Sequence, residues 1–192
     1  VSALQDTVDE HRRHKDVYEH TLTVLQQAMD LETGPDGDVP GPDLRLRLAA
    51  LMHDIGKPAT RRFMPDGTVT FHAHDDVGAR MTAKRMRALH FDKQTIKDVS
   101  RLVELHLRFH GYADSPWSDS AVRRYVTDAG PLLARLGCLT RADVTTGNRR
   151  KAAMLSHAYD DLERRIEALR QQEELASIRP ELDGQEIMAE LG

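Results

Sequence analysis

The 192-residue chain carries 27 Lys and Arg against 31 Asp and Glu, a formal net charge of −4, with 40% hydrophobic, 30% charged and 5% aromatic residues. This length suits one domain, or one domain with a helical extension, and the balance excludes both a disordered chain and a protein basic over its whole surface. Local basic clusters remain at Arg61-Arg62, Lys84-Arg85 with Arg87, Arg123-Arg124 and Arg149-Arg150-Lys151, and each reads first as a solvated helix face. The low aromatic fraction predicts an aliphatic core. Cys138 is the single cysteine, so no disulfide framework exists and a reducing compartment, the cytoplasm, is expected. Its neighbours Leu136 and Leu139 point to a buried thiol. No apolar run approaches the ~20 residues that span a bilayer, and the opening VSALQDTVDE has neither a charged nor an apolar leader segment. Neither a signal peptide nor a membrane partner is expected. The start at Val1 and the stop at Gly192 suit a piece of something longer.

Taken in order, the first helical pattern covers residues 15–32, with Val17, Val24, Ala28 and Leu31 on one face. A Gly/Pro-rich loop, TGPDGDVPGP, follows. The next pattern, 43–55, is apolar nearly all round, which predicts a buried helix. Residues 60–71 contain Pro65-Asp66-Gly67 between short β-prone runs and predict a small hairpin. Helices are then expected at 75–90, 93–110, 119–129, 131–147 and 150–175, and a short one opens near Gln185. The predicted class is all-α: a helical bundle with one small β-hairpin at about 60–71 and a C-terminal helical extension.

Polar residues fall where such a bundle should be apolar. His20 lies between Val17 and Val24 on the apolar face of its helix. His53 and Asp54 close the buried segment LMHDIGKP. His106 and His110 share a face with Val99 and Val103, and Asp143 extends the stripe of Leu132, Leu136 and Leu139. His74 stands at the start of the helix that begins near Asp75. Singly, an inward His is more often a satisfied core histidine and an inward Asp a cap or ion-pair partner. A buried carboxylate needs a counter-charge, however, and the helix dipole disfavours an anion at the C-terminal position of Asp54. A divalent cation satisfies imidazole nitrogens and carboxylate oxygens together.

This order of residues resembles the HD superfamily of metal-dependent phosphohydrolases, whose pattern is H…HD…D with optional histidines between, and LMHDIGKP looks like its central signature. The resemblance implies that His20, His53, Asp54 and Asp143 hold one metal, that His74 and His106 hold a second, and that Asp54 bridges the two. The cofactor it implies is one or two divalent ions among Mg, Mn, Ni, Fe, Co and Zn. A narrower resemblance covers the whole chain: HRRHKDVYEHTLTVLQQAMDLE, AALMHDIGKPATRR, FHAHDDVGA, LVELHLRFHGYADSPWSDSAVRRYV and RPELDGQEIM are similar to the HD portion of bacterial CCA-adding tRNA nucleotidyltransferases of the actinobacterial type, also called poly(A) polymerase-like. By that likeness residues 1–180 are the HD domain and 181–192 begin a tRNA-binding helical tail. The family's N-terminal nucleotidyltransferase head has no counterpart here, and Asp36-Gly37-Asp38 is loop chemistry rather than its Mg²⁺ pair.

The implied function is divalent-metal-dependent hydrolysis of phosphomonoesters or 2′,3′-cyclic phosphodiesters in the setting of tRNA 3′-end processing and repair. Two ions would lower the pKa of a water, orient a phosphate and stabilise the leaving oxygen. Lys57 is a further catalytic candidate, either for substrate phosphate or beside Asp54; its plain reading is a cation offsetting a helix C-terminus. Arg61, Arg62 and Arg80 are weaker phosphate candidates. Expected partners are tRNA or an RNA 3′ end and nucleotides, with a homodimer as an option. Two alternatives stand beside this reading: a non-catalytic RNA-binding body, and a free-standing HD nucleotidase.

Overall fold

A computed structural model describes residues 1–5, 7, 16–115 and 117–177. Its helices start where the sequence supplies side-chain caps. Asp16 accepts from the Glu19 N–H at 2.7 Å and opens α1 (Val17–Asp30). Asp43 accepts from the Leu46 N–H at 2.8 Å and opens α2 (Leu44–Met52). A one-turn helix, α3 (Lys57–Thr60), leads into the hairpin β1 (Arg62–Phe63) and β2 (Val69–Thr70), which pair antiparallel with Arg62 opposite Thr70. Then come α4 (His74–Ala88), α5 (Lys93–Leu105, capped by Asp92), α6 (Arg108–Asp114), α7 (Asp119–Ala129, capped by Ser118), α8 (Leu133–Ala142) and the long α9 (Arg149–Ser177). Among the described residues, the all-α class with a single small hairpin and a long final helix is as the sequence predicts. The helix expected near Gln185 and the whole 181–192 tail lie outside the described residues, as do His11 and His14.

The core is aliphatic. Val24, Ala28, Leu46, Ala49, Ala50, Val99, Leu102, Val103, Leu136 and Leu139 are all fully buried, so α1, α2, α5 and α8 meet along one seam. Each buried Leu or Val of this kind contributes roughly 1.5–3 kcal/mol. Five aromatic residues gather apart: Phe109, Tyr112, Trp117, Tyr125 and Tyr159 make a chain of ring contacts where α6, α7 and α9 pack. Cys138 is half-buried, with burial pushing its thiol up from the usual range.

Three boundaries differ from the sequence pattern. The predicted helix 93–110 divides at His106 and Leu107, the helix 43–55 stops at Met52, and the helix 131–147 stops at Ala142. The first two share a cause. His106 Nδ1 pairs with the Val103 carbonyl at 2.6 Å, and His53 Nδ1 with the Ala50 carbonyl at 2.8 Å. Each carbonyl is the acceptor that the next backbone N–H would take in a continuing α-helix. An imidazole N–H occupies it where each helix ends.

Asp43 ties the N-terminus of α2 to α8. Besides capping Leu46, it takes Arg135 Nη2 at 2.7 Å, and its own N–H is held by Glu32, which pairs with Arg47. Removing this buried carboxylate strips a cap and strands a half-buried guanidinium. Asp43→Ala is expected to cost about 2–4 kcal/mol in urea unfolding, and Asp43→Asn to recover the capping share of about 1 kcal/mol.

Candidate metal centre

Four imidazoles stand in a row through the bundle. Ring centroids of His20 and His53 are 5.3 Å apart, those of His53 and His106 5.4 Å, and those of His106 and His74 5.4 Å. α1 supplies His20, the turn after α2 supplies His53 and Asp54, the first residue of α4 is His74, the end of α5 supplies His106, and the end of α8 supplies Asp143. Every residue of the sequence-derived ligand set thus reaches one place.

Asp54 lies at the middle and uses both oxygens. Its Oδ2 is 3.2 Å from His53 Nε2, 3.5 Å from His20 Nε2 and 2.9 Å from Lys57 Nζ; its Oδ1 is 3.3 Å from His74 Nε2. Asp143 Oδ1 closes the first half at 3.0 Å from His20 Nε2 and 3.6 Å from His53 Nε2. Two overlapping ligand groups result, His20–His53–Asp54 and Asp54–His74–His106, with Asp54 common to both.

The imidazoles are oriented from behind. His53, His74 and His106 each direct Nδ1 at the carbonyl three residues back, on Ala50, Phe71 and Val103, while His20 Nδ1 meets Thr145 Oγ1 at 2.9 Å. Where Nδ1 donates in this way, the Nε2 lone pair of the neutral ring faces inward, the arrangement that metal-binding histidines use. Donor chemistry inside the cluster fits a cation. His74 Nε2 and His106 Nε2 are buried without a hydrogen-bond partner, Asp54 Oδ2 meets its neighbours through charge contacts without a well-formed hydrogen bond, and the Nε2 atoms of His20 and His53 sit 3.2 Å apart. Unsatisfied buried acceptors are costly, and a positive ion relieves them together.

Titration behaviour points the same way. Burial would depress His53, but the charge and hydrogen bond of Asp54, with Asp143, overcome it and carry the pKa up to about 9. Asp54 and Asp143 go the other way. Burial opposes ionisation, yet His53 above all holds Asp54 well below the usual carboxylate range, and the His20 hydrogen bond does the same for Asp143. His106, fully enclosed and near His53, is pushed down to about 4, and burial also lowers His20. The pocket therefore demands positive charge at its centre and tolerates little at its inner wall.

Two glycines set the fit between the halves. A Cβ on Gly56 would stand 2.2 Å from the His74 carbonyl oxygen and 2.8 Å from the Gly78 nitrogen; one on Gly78 would meet Val103 at 3.3 Å. The His53-Asp54 turn and the start of α4 thus touch backbone to backbone. Ala73, immediately before His74, takes the left-handed conformation at φ 58°, which costs a non-glycine residue roughly 1–2 kcal/mol. Neither the close approach nor Thr145 is marked by the ligand pattern; the nearness of Thr145 to Asp143 in sequence is its one available signal.

The opening of the centre follows from exposure. Asp143, Lys57 and His74 side chains are 16%, 11% and 10% exposed, against 4% or less for His20, His53 and Asp54. Lys57 Nζ also lies 5.5 Å from the Phe71 ring centre. Arg61 and Arg62 are exposed at the start of the hairpin, with Arg61 over the Phe63 ring. Arg80 is exposed on the outer face of α4 and lines a groove whose lining includes none of the six clustered residues. His72, His90, His110 and His157 are exposed, and so is Asp36-Gly37-Asp38.

A cluster built this way on helix ends, with the His53-Asp54 pair at its centre, is the mark of one class of helical domain, and the HD domain family matches residues 17–148. The chain belongs to the HD-domain family, whose members bind divalent metals, and its buried His/Asp groups are able to hold such an ion. Its curated relatives include the A-adding tRNA nucleotidyltransferase of Deinococcus radiodurans, 35% identical over 182 residues, and the CC-adding tRNA nucleotidyltransferase of Thermus thermophilus, 34% identical over 182 residues. Both alignments cover 93% of this chain but only 39% and 37% of the relatives, so the chain spans less than two fifths of their length. Among the described residues, no helix is long and apolar enough to cross a membrane.

Two measurements probe this arrangement. Gly56→Ala is expected to lose more than about 2 kcal/mol of stability, because the new Cβ meets backbone that cannot step aside. In chelator-treated protein, His106 has an unfolded pKa of 6.5 and a folded one of about 4. Between those values the unfolded chain binds a proton that the folded chain refuses, so stability falls as pH drops through that window, by roughly 3 kcal/mol at its foot. His53 acts oppositely: its stabilisation is complete below pH 6.5 and is lost as pH rises through about 9. Urea midpoints from pH 6.5 to 4.5 should show the acid slope, and His106→Gln should flatten it.

Proposed function

We propose that the chain is a divalent-metal-dependent phosphohydrolase acting on phosphomonoesters or 2′,3′-cyclic phosphodiesters of nucleotides and RNA ends, in the setting of tRNA 3′-end processing or repair. The observation that carries this reading is the convergence of four His and two Asp on one buried cluster centred on Asp54. His20, His53, Asp54 and Asp143 would hold one ion; Asp54, His74 and His106 would hold a second. When bound, such ions lower the pKa of a water and stabilise charge on a phosphate. In the overall reaction, water oxygen forms a new bond to phosphorus, one P–O ester bond breaks, and the leaving oxygen takes up a proton.

The chain's own residues supply the surroundings. The three carbonyl-anchored imidazoles keep their Nε2 atoms aimed inward without reorganisation, the preorganisation that favours charge development. Lys57, at the more open side of the cluster, keeps an ammonium on Asp54 and is the residue best placed to meet a phosphate oxygen there. Arg61 and Arg62, four and five residues farther along the chain, are the next candidates; Arg80, in a separate groove, is better read as part of a different surface. The setting of tRNA ends comes from the relatives, both tRNA nucleotidyltransferases, of which this chain covers the minor part.

A second reading, a body that holds RNA for a longer nucleotidyltransferase without hydrolysing anything, has the same relatives behind it. One set of experiments separates the two. Purified chain is analysed for bound metals, then assayed on 2′,3′-cyclic, 2′- and 3′-phosphate nucleotides with several added divalent ions. The expected outcome is hydrolysis that depends on the ion, with Asp54→Ala losing both metal and activity while its helical circular dichroism persists, and Lys57→Ala keeping the metal but raising KM. Full metal stoichiometry in Asp54→Ala overturns the ligand assignment; ion binding without turnover of any of these substrates favours the second reading.

A further inference from the structure

From Val77 to Phe91 the chain has no carboxylate and four cations, Arg80, Lys84, Arg85 and Arg87. With Lys93 and Lys97 of α5 they form a set of six, all exposed, and no ion pair joins any of them to another described residue. Much of the remaining positive charge is treated otherwise: Arg101, Arg108, Arg123, Arg135, Arg141 and Arg165 each meet at least one carboxylate. An ordinary solvated surface mixes the two signs. On a chain of net charge −4, a face left unneutralised in this way is local and distinct.

Its geometry is linear. His74, Gly78, Thr82 and Met86 are the buried stripe of α4. Arg80, Lys84 and Arg87 repeat every three to four residues on the opposite side, a row ~10 Å long. Arg80 and Arg87 face Lys93 and Lys97 across a groove of about 1200 Å³ between α4, α5 and the turn around Gly130, with Ala79, Ala83 and half-buried Phe91 among its apolar lining. Acidic residues on the groove do not cancel this charge. Asp98 is taken by Arg45, Glu104 by Arg101, and Asp128 by Arg101 and Arg108, leaving Asp76 alone.

We propose that the outer face of α4, with the adjoining start of α5, is a docking surface for the phosphate backbone of RNA, and that this surface is separate from the metal centre. A row of exposed ammonium and guanidinium groups beside an apolar floor suits a flexible polyanion whose phosphates and sugar faces it meets in turn, without reading base sequence. The choice of RNA as the polyanion rests on the tRNA-end reading proposed above, and the surface does not require that the metal centre hydrolyse anything.

The test measures binding of a fluorescently labelled single-stranded RNA and of unmodified tRNA by the purified chain, between ~50 and ~200 mM KCl. The triple variant Arg80→Gln, Lys84→Gln, Arg87→Gln should bind at least ~10-fold more weakly at the lower salt, and the slope of log K against log salt should fall by about 2, near 0.7 per lost phosphate contact. Its metal content and thermal midpoint should stay at the parent values. A comparison triple, Arg149→Gln, Arg150→Gln, Lys151→Gln, should change affinity less than about twofold, which discriminates a local site from loss of any three charges. Absence of RNA binding by the parent chain overturns the proposal, as does an unchanged slope in the first triple, or a loss confined to the second. Retained RNA binding alongside lost attachment to anionic phospholipid vesicles would assign the face to a membrane surface and overturn it too. Because RNA binding and nucleotide hydrolysis are read separately, either proposal can fail while the other stands.

Discussion

The donation of an imidazole N–H to the carbonyl three residues behind it is the contact on which the centre depends. It occurs at His53, His74 and His106. At His53 and His106 it takes the acceptor that would have continued the helix, so the chain turns there. At all three it fixes which nitrogen is protonated in the neutral ring and leaves the other facing the cluster. Chain path and ligand orientation thus meet in the same bond at His53 and His106.

Around that contact the aliphatic seam of α1, α2, α5 and α8 acts as scaffold. Its residues are small and branched, and they bring four backbones close enough for the short side chains of Asp54 and Asp143 to reach the same two imidazoles, His20 and His53. Five of the larger aromatic residues, Phe109, Tyr112, Trp117, Tyr125 and Tyr159, lie elsewhere, where α6, α7 and α9 pack. Bulk there stabilises the bundle without widening the centre. Asp43, at the far end of α2 from His53, locks the same helix to α8 through Arg135, so both ends of α2 are fixed by a side chain.

Much of this is legible in the amino-acid sequence. Inward positions of His20 and Asp143 follow from periodicity alone, and the order of His20, His53-Asp54, His74, His106 and Asp143 points to the family. The break at His106 is not legible, because neither Gly nor Pro marks it; what stands there is an imidazole paired with the Val103 carbonyl. Nor does the pattern expose the contact of Gly56 with His74, which is a long-range backbone approach visible only once α4 is docked. Arg80 is one of the weaker phosphate candidates of the sequence. Helical phase decides its surroundings: six residues past His74 on α4, it points about 120° away from that residue.

Lys57 has a further consequence. Its ammonium rests 2.9 Å from the central carboxylate, and His53 is held basic enough to keep a proton near neutral pH. The polypeptide thereby brings two positive charges of its own to an interior that would otherwise collect only acceptors. Zinc fingers lack such internal compensation and stay unfolded until loaded. With that compensation the bundle could form before any ion is bound, and uptake of a divalent ion would then release a proton, so occupancy would track ion supply and acidity in the surroundings rather than the history of synthesis.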